Sequence, residues 1–241
     1  MTSTFDEEIQ GAFERLRKAD QQVRVLRPLQ TPIADWESKW FMQGLELGIF
    51  EIDVGRGPAG WPAARIVGPP FHVDTHLLMS PSIERGERAV FREVVTQVAA
   101  ISRLVGEFGH TVESVVAESQ HWEVDAVVYD SAATDVGATA IIGVEAKVPL
   151  REHMALAAAL QVCRGVDEGH VAAIASGALP AAAASMAKNH HQKCRWIATS
   201  STPVFWVISP FRSDVFEVVR DDGGQFRLIV SDESALHSLR V

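Results

Sequence analysis

The stretch AIIGVEAKV, residues 140–148, is an apolar run with a carboxylate at Glu145 and an ammonium at Lys147. Side chains two residues apart on a β-strand lie on the same face of the sheet. We therefore expect Glu145 and Lys147 to share one face and the apolar residues between them to form the opposite, core face. A charged pair of this kind is typical of a solvated edge strand, so the pair alone does not indicate a site.

The preceding predicted strand supplies a second carboxylate. Asp125 stands near the start of the apolar run in WEVDAVVYD, residues 122–130, and a hairpin turning through residues 130–140 would bring it beside Glu145. Adjacent strands lie about 4.8 Å apart, so the two carboxylates would repel each other unless they are protonated or bridged by a cation. Ligation by the oxygens of Asp and Glu suits Mg²⁺ or Mn²⁺.

A lysine beside such a site has a chemical use. An ammonium near a metal-bound water can orient that water, favour its deprotonation, or neutralise the charge that builds on a phosphorane-like transition state. Asp125, Glu145 and Lys147 together therefore fit the hydrolysis of phosphodiester bonds.

The order of predicted elements carries a resemblance. A long helix is predicted from Ser82 to a stop at Gly109, because apolar residues recur there at spacings of three and four. A hairpin with Asp125 on its second strand follows, then the strand ending in Glu145-Ala146-Lys147, then a helix and another strand. This order resembles the PD-(D/E)XK nuclease superfamily, which includes restriction endonucleases, Holliday-junction resolvases and RecB-type nuclease domains.

The resemblance covers roughly residues 82–210 and implies both a fold and roles for residues. The fold would be α/β, a restriction-endonuclease-like core with a mixed central β-sheet flanked by helices. Asp125 and Glu145 would bind the metal together with the carbonyl group of Ala146, and Lys147 would be the catalytic lysine. The residue before Asp125 is Val124, where the family name has proline.

Further roles follow from the same resemblance. Many members place a glutamate on the first helix that completes the metal site, and Glu87 and Glu93 are both candidates here. Gln161, on the predicted helix after Lys147, resembles the glutamine of the RecB-type QxxxY motif, although the tyrosine position is occupied by Gly165. The resemblance thus implies an Mg²⁺- or Mn²⁺-dependent endo- or exodeoxyribonuclease, with RNA left open as a second substrate.

The chain is expected to contain two regions. Residues 1–81 are predicted to form an N-terminal accessory region with an amphipathic helix, an aromatic-rich segment and a loop rich in Gly and Pro. Residues 82–241 are predicted to form the nuclease-like domain, which ends in a C-terminal hairpin turning at Asp-Asp-Gly-Gly.

The charge of the chain bears on its partners. The formal net charge of −9 repels polyanions on average, so binding to DNA would need a local cluster of positive charge, a bound cation or a basic partner. KNHHQKCRW, residues 188–196, is the densest basic segment. Within this segment, four side chains are candidates for contacts with phosphate groups: Lys188, His191, Lys193 and Arg195. Trp196 is available for stacking on a base. The same cations could instead stabilise a helix C-terminus.

Cellular placement is predicted from what the sequence lacks. No run of about 18 uncharged apolar residues occurs and the N-terminus is acidic, so we expect a cytoplasmic protein without membrane contact. Cys163 and Cys194 are the only cysteines and have no metal-ligand spacing. We expect both to be reduced and packed.

Two other functions are compatible with the sequence. One is a catalytically weak or inactive subunit of the same fold, which holds nucleic acid or a protein partner and could form a homodimer. The other is an unrelated α/β hydrolase whose transition metal is bound by His72, Asp74 and His76 of HVDTH.

Overall fold

Helices and strands alternate along the chain in a mixed α/β arrangement, which confirms the predicted class. The computed structural model of the 241-residue chain describes residues 3–56, 61–71, 76–82, 86–118, 124–163, 181–222 and 225–237. The described α-helices are α1 (Phe5–Ala19), α2 (Asp35–Glu46), α3 (Arg92–Gly106), α4 (Leu150–Val162) and α5 (Ala181–Ser200). The described strands are β1 (Val25–Leu26), β2 (Glu51–Arg56), β3 (Pro62–Val67), β4 (Met79–Ser82), β5 (Glu87–Val90), β6 (Val115–Ala117), β7 (Ala126–Tyr129), β8 (Ala140–Ala146), β9 (Val204–Ser209), β10 (Arg212–Arg220) and β11 (Phe226–Ser231).

The chain divides into two compact units. Unit 1 comprises Met1–Ala117 and unit 2 comprises Glu118–Val241. The division therefore falls after Ala117 rather than after residue 81. The accessory role expected for residues 1–81 stays a prediction.

In unit 1 the predicted amphipathic helix is confirmed as α1. The Thr4 side chain accepts a hydrogen bond from the Glu7 amide, and the Glu7 carboxylate accepts one from the Thr4 amide. This capping box satisfies two of the donors that a helix leaves free at its start. The apolar face buries Ile9, Phe13 and Leu16, and burial of this face stabilises the helix more than its intrinsic propensity does.

The long helix predicted from Ser82 is wrong at its start. Residues Glu87–Val90 form strand β5, which pairs antiparallel with β4 and parallel with β1, and α3 begins only at Arg92. The Arg92 guanidinium lies 2.6 Å from Glu37 Oε1 of α2. This buried, bidentate ion pair joins the start of α3 to α2.

Unit 2 is built on a mixed sheet. Its strand order is β11-β10-β9-β8-β7. β8 runs parallel to β9, whereas β7 is antiparallel to β8, and β10 is antiparallel to both β9 and β11. The hairpin predicted at the C-terminal end is confirmed as β10 and β11.

Strand β8 lies in the interior of this sheet, between β7 and β9. The solvated-edge interpretation is therefore wrong, because Gly143 and Glu145 are buried like their neighbours Val144 and Ala146. The face that carries Gly143 and Glu145 is itself a core face. Four residues that share one row across four strands lie on it: Val127, Gly143, Phe205 and Phe216.

Helices α4 and α5 cover this face. Leu156 and Leu160 of α4 and Trp196 and Ile197 of α5 belong to the same buried apolar cluster as Phe205. Burial of large apolar side chains in such a cluster is the main force that holds a helix against a sheet. The candidate site therefore lies under two helices rather than on an open strand.

The expectation of two reduced cysteines is wrong. Cys163, at the end of α4, forms a disulfide with Cys194 of α5, and their Cα atoms are 6.1 Å apart. This separation lies within the range that disulfides span. The bond ties the two covering helices to each other.

The strand that the sequence predicts at residues 170–176 lies outside the described residues. Within the described parts of the chain, no helix combines the length and apolar character needed to cross a bilayer.

Candidate functional site

Asp125 lies beside the C-terminal end of β8, as expected from a hairpin between β7 and β8. Ala126 pairs with Val144 in the antiparallel ladder, so the preceding residue reaches the last residues of β8. The Asp125 carboxylate accepts a hydrogen bond of 2.6 Å from the Ala146 amide. The Asp125 amide donates to the Val144 carbonyl oxygen at 3.0 Å, and the Glu118 amide donates to the Asp125 carbonyl oxygen at 2.7 Å, so backbone hydrogen bonds hold Asp125 on two sides.

Glu145 is a buried carboxylate between two ammonium groups. Its side chain is 1% exposed, with Lys147 Nζ 2.6 Å from Oε1 and Lys193 Nζ 2.8 Å from Oε2. The contact with Lys193 has the distance of an ion pair but not the angles of a hydrogen bond. The site therefore contains Asp125, which precedes β7, Glu145 and Lys147 at the end of β8, and Lys193 of α5.

Lys193 was expected on a surface patch, and the structure places it in the site instead. Its side chain is only 5% exposed, so it does not lie on an open basic surface. The sequence spacings permit this contact but do not predict it. Lys193 and Trp196 are three residues apart on one helix face, and Gly143 and Glu145 are two apart on one strand face, so Trp196 can contact Gly143 while Lys193 contacts Glu145.

The donor atoms fit a divalent cation that prefers oxygen. Asp125 and Glu145 supply carboxylates at the ends of neighbouring strands, and the Ala146 peptide lies between them. Mg²⁺ typically takes one or two protein carboxylates and fills its remaining positions with waters and phosphate oxygens. Within the described residues no three His, Cys, Asp or Glu side chains cluster as a metal site, so the two carboxylates would have to suffice.

The resemblance also implies roles for Glu87, Glu93 and Gln161, which lie on other elements. Glu87 is on strand β5, not on a helix, and accepts a hydrogen bond of 2.6 Å from Arg27. Glu93 is exposed in the first turn of α3, and both glutamates belong to unit 1. Gln161 is exposed on the last turn of α4. A role for Glu93 or Gln161 in catalysis stays a prediction.

The basic segment is only partly on the surface. Arg195 is exposed and His191 is half-buried, so their predicted contacts with phosphate groups stay open to test. The side chain of Lys188 lies outside the described residues. Trp196 is buried against Phe205, with ring centroids 6.0 Å apart, and stacking of this ring on a base is therefore wrong.

A second polar cluster lies on the same sheet face. Asp214 of β10 and Glu145 of β8 both pair with Val207 of β9, so the two carboxylates occupy one row. His153 of α4 is fully buried, with Nε2 2.7 Å from Asp214 Oδ2. Arg212 Nε donates to the same oxygen at 2.6 Å.

Both His153 and Asp214 of this cluster have lowered pKa values. Burial lowers the pKa of His153 and outweighs the neighbouring Asp214, which raises it. For Asp214, burial is the largest single influence and raises the pKa, but the hydrogen bonds and charges of Arg212 and His153 together lower it. The cluster is therefore a neutral imidazole beside an ionised carboxylate.

The alternative metal site predicted in HVDTH stays a prediction. His72 and Asp74 lie outside the described residues. His76 is buried, with its ring in an edge-to-face contact with Phe71 at a centroid distance of 5.1 Å. This contact gives His76 a packing role.

Comparisons with models of protein families, with curated proteins and with solved structures give no match to this chain.

Proposed function

We propose that the protein is a metal-dependent nuclease that hydrolyses DNA phosphodiester bonds in an active site formed by Asp125, Glu145 and Lys147. The observation that carries the proposal is the meeting of these residues at one strand end. Asp125 reaches the Ala146 amide at 2.6 Å, and Lys147 reaches Glu145 at 2.6 Å. Buried ionisable groups arranged in this way are uncommon outside functional sites.

The order of the elements supports the finer assignment to a restriction-endonuclease-like core. Along the chain, α3 is followed by β6, β7 with Asp125 just before it, and β8 with Glu145, and then by α4, α5 and β9. The mixed sheet has this ExK strand in its interior, and α4 and α5 cover one face. The order as far as α4 is the one on which the resemblance rests, whereas the strand expected after α4, at residues 170–176, lies outside the described residues.

The residues of the site suit the demands of the reaction. Hydrolysis joins the oxygen of one water to phosphorus and breaks one P–O ester bond, so a proton leaves the water and negative charge builds on the phosphate. Lys147 is the cation nearest to Glu145 and can neutralise that charge or orient the water. A divalent cation held by Asp125, Glu145 and the Ala146 carbonyl would supply charge neutralisation and a more acidic bound water.

The test is cleavage of a panel of nucleic acids by the purified chain. The panel contains single-stranded, double-stranded and branched DNA and single-stranded RNA, with Mg²⁺, Mn²⁺ or EDTA. We expect cleavage of DNA with either metal and none in EDTA. Lys147→Ala should slow it by about a hundredfold or more, while Lys193 still pairs with Glu145 and the fold is retained.

Lys39→Ala is the matched control, because Lys39 is an exposed lysine of unit 1 that lies over the Trp40 ring. It should cleave like the wild type. Equal rates for wild type and Lys147→Ala would overturn the proposed site, and a rate unaffected by EDTA would overturn the metal dependence.

One observation favours a second function. Glu145 is almost fully buried and already contacts two ammonium groups, which is also how a purely structural ion-pair cluster looks. The alternative is thus a non-catalytic subunit that holds nucleic acid or a protein partner. It predicts retention of DNA in a mobility-shift assay without cleavage of any substrate in the panel, and a melting temperature unaffected by Mn²⁺.

A further inference from the structure

The second ammonium on Glu145 needs an explanation. Lys147 alone neutralises the charge of this carboxylate, yet Lys193 approaches the other oxygen at 2.8 Å. Bringing a further ammonium out of water carries a desolvation cost. Lys193 comes from a different element, α5, so its position does not follow from the strand that carries Glu145 and Lys147.

The packing of α5 fixes Lys193 over Glu145. A Cβ atom added at Gly143 would lie 2.6 Å from Trp196 Cη2 and 2.9 Å from Phe205 Cδ2, so only glycine leaves room for the indole. Trp196 and Lys193 lie one turn apart on α5, and Gly143 and Glu145 lie two residues apart on one face of β8. With Trp196 seated on Gly143, Lys193 is brought to Glu145.

A second constraint acts on the same turn of α5. Cys194, next to Lys193 in sequence, is bonded to Cys163 at the end of α4. Lys193 is therefore followed, within one turn of α5, by a covalent link at Cys194 and an apolar anchor at Trp196. This is a preorganised position and not a chance surface contact.

We propose that Lys193 is a second lysine of the active site, one that occupies Glu145 Oε2 until a divalent cation takes its place and then contacts a phosphate oxygen of the substrate. The proposal rests on the proposed nuclease function and assigns Lys193 a role within that site. Oε2 already contacts an ammonium at 2.8 Å, so Lys193 has to leave this oxygen before the oxygen can accept a divalent cation. The displaced ammonium is then available to donate a charge-assisted hydrogen bond to a phosphate oxygen of the substrate.

The test compares Mn²⁺ affinity and DNA cleavage in Lys193→Met and in the matched variant Arg227→Met. Methionine keeps the length of the side chain and removes the competing charge, while Lys147 still pairs with Glu145. Arg227 is exposed on β11 in the same unit as the site, so Arg227→Met controls for the loss of one positive charge at long range. Calorimetry measures the Mn²⁺ affinity of the whole chain, and cleavage is measured at saturating Mn²⁺.

We expect Lys193→Met to bind Mn²⁺ about tenfold more tightly than Arg227→Met, which corresponds to about 1.4 kcal/mol, and yet to cleave DNA at least tenfold more slowly. Lys193→Arg should bind Mn²⁺ more weakly than the wild type, because a guanidinium can hold both oxygens of the carboxylate. This second variant keeps the test informative if Lys193→Met fails to fold.

Each other result has a distinct meaning. Mn²⁺ binding that Lys193→Met does not tighten, or tighter binding with an unchanged cleavage rate, overturns the role of Lys193 while the nuclease proposal stands. Absence of Mn²⁺ binding in the wild type and in all variants overturns the nuclease proposal and this inference together.

Discussion

Gly143 and Trp196 form the closest fit between two residues beside the candidate site. The indole occupies the space that any larger side chain at residue 143 would need. Interiors are packed to crystal-like density, so this space cannot be recovered without moving α5. Gly143, which permits the packing, and Glu145 of the candidate site are two positions apart on β8.

Gly143→Ala should lower the free energy of unfolding by about 1–3 kcal/mol, as overpacking of a filled core does. Urea unfolding measures it. Gly11→Ala is the control, because a Cβ at Gly11 meets only Arg15 Nη1, at 3.7 Å, on an open face of α1, and alanine favours the helix by about 0.5–1 kcal/mol. Equal stability of the wild type and Gly143→Ala would contradict the packing described above.

At the scale of elements, helix α4 is attached to its surroundings near both ends. His153 contacts Asp214 of β10 in its first turns, and Cys163 is bonded to Cys194 of α5 at its end. Apolar side chains between them, such as Leu156 and Leu160, pack in the core cluster. Two different chemistries, protonation and oxidation, therefore act on the position of one helix.

The His153 attachment predicts how stability depends on pH. Because burial lowers the pKa of His153 below 6.5 in the folded state, the unfolded chain binds this proton more readily. Stability from His153 is thus present above about pH 6.5 and is lost as pH falls through the lower pKa of the folded state. The pKa of Asp214 is lowered from 3.8, so its own contribution is lost only in more acidic solution.

We expect the melting temperature of the wild type to fall as the pH is lowered from 6.5 toward 4.5, and to fall less in His153→Gln, which cannot titrate. His237→Gln serves as the control, because His237 is exposed. Differential scanning calorimetry across this range measures the effect. A wild-type curve that runs parallel to that of His153→Gln would refute the assignment of this pH dependence to His153.

The disulfide predicts sensitivity to reducing agents. Cys163 and Cys194 are 31 residues apart in sequence, and closing a loop of this length typically stabilises a protein by about 2–4 kcal/mol. Dithiothreitol should therefore lower the urea midpoint of the wild type. The double variant Cys163→Ala/Cys194→Ala should not respond to dithiothreitol. A wild-type midpoint that dithiothreitol leaves unchanged would show that the bond does not form in solution.

The sequence predicted local elements better than the contacts between them. The period-two pattern identified β8, and helical spacing identified α1 and α4, because these patterns depend on neighbouring residues. Asp125 was placed correctly because a hairpin is a short-range connection. The start of α3 was wrong because β5 is stabilised by pairing with β1, a long-range contact that its composition does not show.

The errors at the site have the same cause. Nothing near Glu145 in sequence shows that Lys193 pairs with it, or that Cys163 meets Cys194, because both contacts depend on the packing of α5. The pairing of His153 with Asp214 likewise spans 61 residues. Burial of Glu145 was missed because a charged strand face is usually solvated, whereas here two helices cover it.

At the scale of the whole molecule, the charge of −9 governs how DNA can approach. A polyanion is repelled by this charge. We therefore expect binding of DNA to be weak in EDTA and tighter in Ca²⁺, which binds carboxylate oxygens and offsets part of their charge. Fluorescence anisotropy measures both. Equal affinity in the two buffers would contradict a cation-dependent approach.

The exposed part of the basic segment adds a matched prediction. Arg195→Ala should weaken binding to DNA of any sequence and reduce the slope of log affinity against log salt by about one, as the loss of a single phosphate contact does. Arg227, exposed on β11, supplies the control variant Arg227→Ala. Identical slopes for the two variants would show that Arg195 does not contact phosphate.

Calorimetric titration of the wild type and Asp125→Asn with Mn²⁺ tests most directly whether Asp125 and Glu145 form one site for a divalent cation. Asparagine keeps a side-chain oxygen that can accept the hydrogen bond from the Ala146 amide, which Asp125 accepts at 2.6 Å. The substitution therefore removes only the charge. We predict one Mn²⁺ per wild-type chain and an affinity at least about tenfold weaker in Asp125→Asn. Equal Mn²⁺ affinity in the two proteins, or none in the wild type, would contradict the account.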